Sequence, residues 1–128
     1  MNILIVDDSL VSRMMVRRCI EGAGFHDERF SFAGDGAHAL EIIEAGGIDC
    51  LVTDLNMPAL DGGELLRAVR ETGQHLRLIV VMSSALSAEM LPDLLRLGAD
   101  AFIRKPITVS AMADAFTFLH AGTDRFRR

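Results

Sequence analysis

Residues 3–8 read ILIVDD, four branched apolar residues followed directly by two aspartates. A short, continuous apolar run of this kind is typical of a strand that is buried on both faces. Four more such runs follow along the chain, at residues 30–33, 50–53, 78–82 and 101–103. The pattern predicts five short strands, of which the fourth is the most hydrophobic and the second the weakest.

Between these runs, apolar residues recur at the spacing of an amphipathic helix. The first helix is predicted to have this inward face: Met15, Val16, Cys19, Ile20 and Ala23. Pro92 falls within the fourth predicted helix, about residues 89–97, and proline breaks a helix interior. That helix therefore either begins late, near Leu91, or is kinked. The fifth helix is predicted over about residues 108–120, with this inward stripe: Met112, Phe116 and Leu119.

The strict alternation of strands and helices predicts βαβ units and a parallel sheet. Right-handed crossovers place helices on both faces of such a sheet. We therefore expect an α/β fold, a doubly wound five-stranded parallel sheet with the flavodoxin-like order 2-1-3-4-5. Residues 1–121 are predicted to form one domain, and residues 122–128 a short flexible C-terminal tail.

Charge and hydropathy argue against several classes of protein. The chain has 13 basic and 18 acidic residues, a formal net charge of −5, which disfavours nonspecific binding to nucleic acid. No stretch approaches the roughly 18–20 apolar residues that span a bilayer. We expect a cytoplasmic, soluble protein without membrane insertion. Cys19 and Cys50 lie in apolar stretches, which favours buried thiols over a disulfide or metal ligands.

Polar side chains follow four of the five predicted strands. Asp7 and Asp8 end the first, Asp54 the third, Ser83 the fourth and Lys105 the fifth. Ligands of open α/β sheets bind outside the carboxyl ends of the strands, so these side chains are expected to converge in one crevice. Singly, each residue is more often a turn former, a helix cap or a surface charge.

Three neighbouring carboxylates need a cation, and all-oxygen ligation suits Mg²⁺, with Mn²⁺ as an alternative. We expect Asp8 and Asp54 to be direct ligands, the backbone carbonyl of Asn56 a third, and Asp7 to act through water. Lys105 is expected to pair with Asp54 at rest. With Ser83, it would contact phosphoryl oxygens once Asp54, the predicted phosphoacceptor, has attacked a phosphoryl donor.

These residues resemble the receiver domain of response regulators, over about residues 2–119. The resemblance is carried by the acidic pair at 7–8, the block DLNMPALDG at 54–62, the serines at 83–84 and Lys105-Pro106. Within the family the chain looks most like the single-domain, chemotaxis CheY-like type. The resemblance implies a two-component system, and a histidine kinase or phosphotransfer protein as phosphoryl donor. It also implies self-catalysed phosphotransfer and autodephosphorylation rather than a separate enzyme activity.

The family's conformational switch links a hydroxyl to an aromatic residue, here Ser83 and Phe102. The resemblance implies that phosphorylation changes the face made by the fourth helix, fifth strand and fifth helix. It also implies a cis Lys105-Pro106 bond. Serine replaces the commoner threonine at 83, and phenylalanine replaces the tyrosine of CheY at 102, so a phenol hydrogen bond is absent.

Two surface stripes are candidate docking sites. Leu10 and Met14, beside the acidic residues, could dock against the phosphodonor, or simply pack on neighbouring loops. Ala111, Ala115 and Phe118 are predicted to form an outward stripe that could serve a homodimer or an unidentified downstream partner.

Other functions stay open at this stage. The chain could be a phosphorelay intermediate, a phosphate sink or the receiver fragment of a larger regulator. An aspartate-nucleophile phosphatase is disfavoured, because Asn56, two residues after the nucleophile, is no general acid. A nucleotide binder is weaker still, since no glycine-rich phosphate loop follows the first strand.

Overall fold

The computed structural model describes residues 1–57 and 60–119. Five strands alternate with five helices along this part of the chain. The strands are β1 (Asn2–Val6), β2 (Arg29–Ala33), β3 (Cys50–Asp54), β4 (Leu78–Ser83) and β5 (Ala101–Arg104). The helices are α1 (Leu10–Gly22), α2 (Gly36–Glu44), α3 (Gly62–Thr72), α4 (Leu91–Arg96) and α5 (Val109–Phe116). The predicted strands are each confirmed to within a residue at either end.

The strands form one parallel sheet in the order β2-β1-β3-β4-β5, which confirms the predicted flavodoxin-like arrangement. Because β1 and β3 are neighbours at the centre, their carboxyl ends are adjacent. Val6 is the register partner of Thr53, so Asp7 follows one strand where Asp54 ends the other. The order of the strands thus brings distant acidic residues together.

Alternate residues of the strands supply two separate cores. On one face of the sheet, Leu4 and Val6 pack in the cluster that includes α2, α3 and α4 side chains. On the other face, Ile3 and Ile5 pack with side chains from α1 and α5. Burial of this kind stabilises by about 25 cal/mol per Å² of apolar surface, and it holds the strands in register.

Helix starts are set by short polar side chains near the carboxyl edge of the sheet. Ser9 caps α1, Asp35 caps α2 and Thr108 caps α5, each accepting a hydrogen bond from a backbone N–H three residues on. Asp61 and Glu64 form a complete capping box at the start of α3. These caps fix where the loops before α1, α2, α3 and α5 end.

The proline in the fourth helix has the first of the two predicted effects. α4 begins at Leu91, with Pro92 in its first turn, where a missing N–H costs no intrahelical hydrogen bond. The helix has six residues and no side-chain cap at its start. α5 ends at Phe116, earlier than the predicted residue 120; residue 120 and the predicted tail lie outside the described residues.

Two predicted helix faces are wrong in detail. Met15 was expected to point inward, but its side chain is 50% exposed, while Val16, Cys19 and Ile20 form the buried stripe of α1. Met15 lies about 100° round the helix from Val16, which places it at the edge of that stripe.

On α5, Ala115 was expected to face outward but is 3% exposed. It follows Met112 by three residues and therefore lies on the same inward face. Ala111 is half-buried against the same core, and Phe118 is exposed.

None of the helices in the part of the chain that the structure describes has the length and apolar character that a membrane span requires.

Candidate functional site

The carboxyl edge of the sheet brings together the five polar residues that the sequence singled out. Asp54 is the last residue of β3 and is the register partner of Met82, directly before Ser83. Ser83 is in turn the partner of Arg104, directly before Lys105. With Asp7 and Asp8 at the end of β1, the predicted convergence is present.

Three carboxylates form the centre of this site. Ligand oxygens of Asp7, Asp8 and Asp54 all lie within 4.8 Å of one another. Asp7 is 1% and Asp54 7% exposed, whereas Asp8 is exposed. The cluster is therefore open to solvent on the side of Asp8 and closed beneath Asp7.

Lys105 supplies one positive charge to the cluster. Its Nζ lies 2.9 Å from Asp54 Oδ2 and 3.1 Å from Asp7 Oδ2, so the predicted resting ion pair with Asp54 is present and is shared with Asp7. Partial burial alone would lower the pKa of Lys105, but the hydrogen bonds to Asp54 and Asp7 outweigh it and raise the pKa above that of an ordinary lysine. Lys105 is therefore a fixed cation at neutral pH.

Hydrogen bonds to the backbone N–H, the carbonyl and the side chain of Asp7 hold the turn after β1. Its backbone N–H donates to the Ala33 carbonyl at 3.1 Å, and its Oδ1 accepts from the Ser9 N–H at 3.0 Å. Arg13 donates from its guanidinium to the Asp7 carbonyl at 2.6 Å. Asp7 is thus held in place by the protein's own hydrogen bonds, which favours a preorganised site.

The segment after β3 is held closely against the start of α3. The Asn56 backbone N–H donates to Asp54 Oδ1 at 3.2 Å, and the Gly62 N–H donates to the Leu55 carbonyl at 2.9 Å. A Cβ at Gly62 would lie only 2.9 Å from the Asp54 carbonyl oxygen. A residue without a side chain is therefore required at position 62 for α3 to approach Asp54.

Ser83 is fully buried at the end of β4. Its Oγ accepts two hydrogen bonds, from Asn56 Nδ2 at 3.2 Å and from the Ala85 backbone N–H at 3.0 Å. The hydroxyl group is thus tied to the segment that follows Asp54.

The donor set fits a hard dication. Three carboxylates and one ammonium leave two negative charges in excess within a few ångströms. Oxygen ligands of this kind suit Mg²⁺, which usually takes one or two carboxylates and keeps several waters. Asp8 is exposed and forms no hydrogen bond or ion pair with the residues that the structure describes, so it is the carboxylate most open to an ion from solvent.

The candidate switch aromatic, Phe102, is half-buried and packs against the α2–α4 core. A shallow groove of about 290 Å³ opens beside it between β5 and α5. These residues line the groove: Asp100, Ala101, Phe102, Ala111, Asp114, Ala115 and Phe118. The Lys105-Pro106 peptide bond is cis, as the family resemblance implied.

An apolar patch lies on the first turns of α1, next to the acid cluster. Leu10 is 64% and Val11 68% exposed, and Met14 and Met15 are about half exposed. The patch therefore contains the predicted docking residues Leu10 and Met14, together with their neighbour Val11 and with Met15, which was predicted to face inward.

Sequence reasoning missed two contributors to this site. The sequence pattern assigned no role to Arg13, yet its guanidinium donates a hydrogen bond to the Asp7 carbonyl. The Asn56 side chain was not assigned a partner, yet it bonds to Ser83. One usable signal was overlooked: Lys105 is the only lysine in a chain that has 13 basic residues.

The strand order and the acid cluster define a CheY-like α/β fold with an acidic pocket at its carboxyl edge. The family model of the response regulator receiver domain matches residues 3–117. The chain belongs to that family and is a receiver domain of two-component signalling.

Curated relatives agree with this assignment. The chain is 34% identical over 116 residues to the chemotaxis protein CheY of Pseudomonas aeruginosa, covering 89% of this chain and 91% of that protein. It is 33% identical over 116 residues to CheY-3 of Vibrio cholerae, covering 89% and 87%. Response regulator MprA of Mycobacterium avium is 36% identical over 112 residues, covering 88% of this chain but 47% of that protein.

Solved structures share the fold. The chemotaxis protein CheY4 of Vibrio cholerae superposes with a TM-score of 0.80 at 28% identity, covering 92% of this chain and 97% of that one. The signal receiver domain of NarL from Mycobacterium tuberculosis superposes with a TM-score of 0.76 at 28% identity, covering 91% and 92%.

Proposed function

We propose that Asp54 accepts a phosphoryl group from a phosphohistidine on a histidine kinase or phosphotransfer protein, with Mg²⁺ bound in the acid cluster. The observation that carries this proposal is the shared contact of Lys105 Nζ with Asp54 and Asp7, inside a cluster of three carboxylates. A structural role alone does not require two excess negative charges around a nearly buried carboxylate, because such charges repel.

In the proposed reaction, a carboxylate oxygen of Asp54 attacks phosphorus. A phosphorus–oxygen bond forms, the donor's phosphorus–nitrogen bond breaks, and the imidazole nitrogen keeps the electron pair. Lys105 moves its hydrogen bond from the Asp54 oxygen to a phosphoryl oxygen, and Ser83 donates to another. These donors neutralise charge on the transferring group.

Asp8 and Asp54 would hold the ion directly, together with the Asn56 backbone carbonyl, and Asp7 would act through a bound water. When bound, Mg²⁺ supplies positive charge for the acids and the incoming phosphoryl oxygens. Mn²⁺ would serve as a substitute, since its ligand preferences are similar. The chain would perform phosphotransfer and autodephosphorylation on itself only, and would not turn over a separate substrate.

The output would follow from a change in packing around Ser83 and Phe102. Phe102 is half-buried and lines the groove between β5 and α5. Movement of the Ser83 hydroxyl toward the phosphoryl group would let the ring turn inward and reshape the α4–β5–α5 face. A downstream protein, or a second copy of the chain, would bind the altered face.

A stand-alone chemotaxis-type regulator in the cytoplasm is the favoured setting. Two CheY relatives support it, since each is matched over most of its length. The α1 patch beside the acid cluster is suited to the helical phosphodonor, because its exposed apolar side chains border the acceptor.

The test is incubation with acetyl phosphate and Mg²⁺, followed by intact-mass measurement of the wild type and Asp54→Asn. We expect the wild type to gain the mass of one phosphoryl group, and a chelator to abolish the gain. Asp100→Asn is a control with an acid replaced away from the cluster. Phosphorylation of Asp54→Asn at the wild-type rate would reject the proposal.

A further inference from the structure

The hydroxyl of Ser83 has its acceptor capacity filled by two N–H donors. Asn56 Nδ2 lies 3.2 Å from Ser83 Oγ, and the Ala85 backbone nitrogen lies 3.0 Å from it. A serine hydroxyl has two lone pairs and one hydrogen. With both lone pairs engaged, the hydrogen is directed away from Asn56 and Ala85 and is left for a third group.

We propose that the Asn56 side chain is a positioning residue that holds the Ser83 hydroxyl as a donor to the phosphoryl group on Asp54. This inference rests on the proposed function, because it requires a phosphoryl group at Asp54. It assigns a task to the Asn56 amide that is separate from the metal-binding task of its backbone carbonyl.

Asn56 is placed to couple the two groups. Its backbone N–H donates to Asp54 Oδ1 at 3.2 Å, while its side chain reaches Ser83 on the neighbouring strand. One residue therefore contacts both the phosphoacceptor and the hydroxyl, and it keeps their relative placement. Positioning of this kind helps catalysis because the donor is aligned before charge develops.

A serine at this position needs such help more than a threonine would. The second substituent on the threonine Cβ restricts χ1, whereas serine lacks that restriction. Ser83 is fully buried, so water does not substitute freely for a missing partner. The hydrogen bond from the Asn56 amide therefore restricts χ1 of Ser83, as the methyl group of a threonine would do by steric contact.

The experiment measures the affinity of the full chain for beryllofluoride, a phosphoryl mimic, by calorimetry in the presence of Mg²⁺. The set comprises the wild type, Asn56→Ala, Ser83→Ala and the double variant. Loss of a hydrogen bond that orients a donor is expected to weaken binding roughly threefold to tenfold in Asn56→Ala. In the Ser83→Ala background, Asn56→Ala should not weaken binding further, because the hydroxyl that the Asn56 amide positions is already absent.

Recovery of beryllofluoride affinity in a second variant distinguishes a positioning role of Asn56 from a merely structural one. Combining Asn56→Ala with Ser83→Thr should restore most of the affinity, because the threonine methyl restricts χ1 without the amide. Asn2→Ala is the matched control: it removes an asparagine whose Nδ2 donates to the Gly47 carbonyl at the opposite end of the sheet. It should leave beryllofluoride affinity unchanged.

Asn56→Ser, whose side chain is too short to reach Ser83, is the second variant and should match Asn56→Ala. Equal weakening by Asn56→Ala in both backgrounds, no weakening at all, or no rescue by threonine would each overturn the positioning role. If the wild type binds beryllofluoride and becomes phosphorylated, such a result would reject the role of Asn56 but not the proposed function. A wild type that does neither overturns the proposed function itself.

Discussion

Lys105→Met removes the ammonium from the acid cluster while keeping an unbranched side chain. In the wild type, Nζ lies 2.9 Å from Asp54 Oδ2 and 3.1 Å from Asp7 Oδ2. Removing one partner of a buried ion pair costs about 3–5 kcal/mol. The Lys105 side chain is 25% exposed, and solvent screens part of that cost. We therefore expect the free energy of unfolding to fall by about 2–3 kcal/mol without metal.

Added Mg²⁺ should stabilise the variant more than the wild type. At an effective dielectric constant of about 20, two unit charges about 5 Å apart interact by roughly 3 kcal/mol. Removing the ammonium should therefore tighten cation binding by at least about tenfold. Stabilisation by a ligand grows with the logarithm of its affinity, so the increment from saturating Mg²⁺ should be at least about 1.4 kcal/mol larger in the variant.

The assay is urea unfolding at pH 7, followed by circular dichroism because the chain has no tryptophan or tyrosine. Each protein is unfolded with a chelator and with Mg²⁺. Arg96→Met is the control: it removes an exposed ion pair with Asp93 and should change stability by less than about 0.5 kcal/mol in either condition. A Lys105→Met variant as stable as the wild type in chelator, or equal Mg²⁺ increments in both, would refute the reasoning.

The remaining predictions concern titration, reactivity and docking. The pKa of Lys105 is raised in the folded state, so its stabilising effect is complete below the unfolded value of about 10.4 and is lost as pH rises through the folded pKa. In chelator, the difference in the free energy of unfolding between the wild type and Lys105→Met should therefore decrease over that pH range. An amine-acylating reagent should modify Lys105, the single lysine of the chain, faster in Asp54→Asn, because the amide carries no negative charge to pair with the ammonium. Mass mapping measures the rate, and equal rates in the two proteins would contradict the pairing. Burial raises the pKa of Cys50 to about 12, so folded protein at pH 9 should resist alkylation there, and rapid alkylation would contradict its burial. Alanine at Leu10 and Met14 should slow phosphotransfer from a phosphohistidine donor but spare acetyl phosphate; equal slowing of both would reject docking on α1.

The strands and the site were predictable because both depend on short-range sequence order. An apolar run that ends in a polar residue indicates the strand and its carboxyl end together, as at Asp54 and Lys105. Parallel pairing then places these ends at one edge. Pro92 was informative for a similar reason, because its ring and missing N–H act locally whatever the tertiary context.

Helix orientation was less predictable, because several faces of one helix carry apolar residues. On α1, Met14, Met15 and Val16 are consecutive, and only packing against the sheet decides which is buried. On α5, Ala115 fits either an outward stripe with Ala111 or the core stripe with Met112. Small side chains carry little hydrophobic preference, so periodicity alone does not choose between the two.

Side-chain hydrogen bonds were the least predictable part of the site. The bond from Asn56 to Ser83 joins residues 27 positions apart, and its existence depends on how the segment after β3 turns toward β4. Arg13 reaches the Asp7 carbonyl for the same kind of reason. Neither contact leaves a periodic trace in the sequence.

The central claim is that the acid cluster directs phosphoryl transfer to one carboxylate. The most direct measurement treats the protein with acetyl phosphate and Mg²⁺, reduces the product with borohydride, and maps peptides by mass spectrometry. Reduction of an acyl phosphate converts that aspartate to homoserine. We expect homoserine at position 54, and only in the presence of Mg²⁺. Homoserine at Asp7, Asp8 or another acid, or none at all, would contradict the assignment of Asp54 as phosphoacceptor.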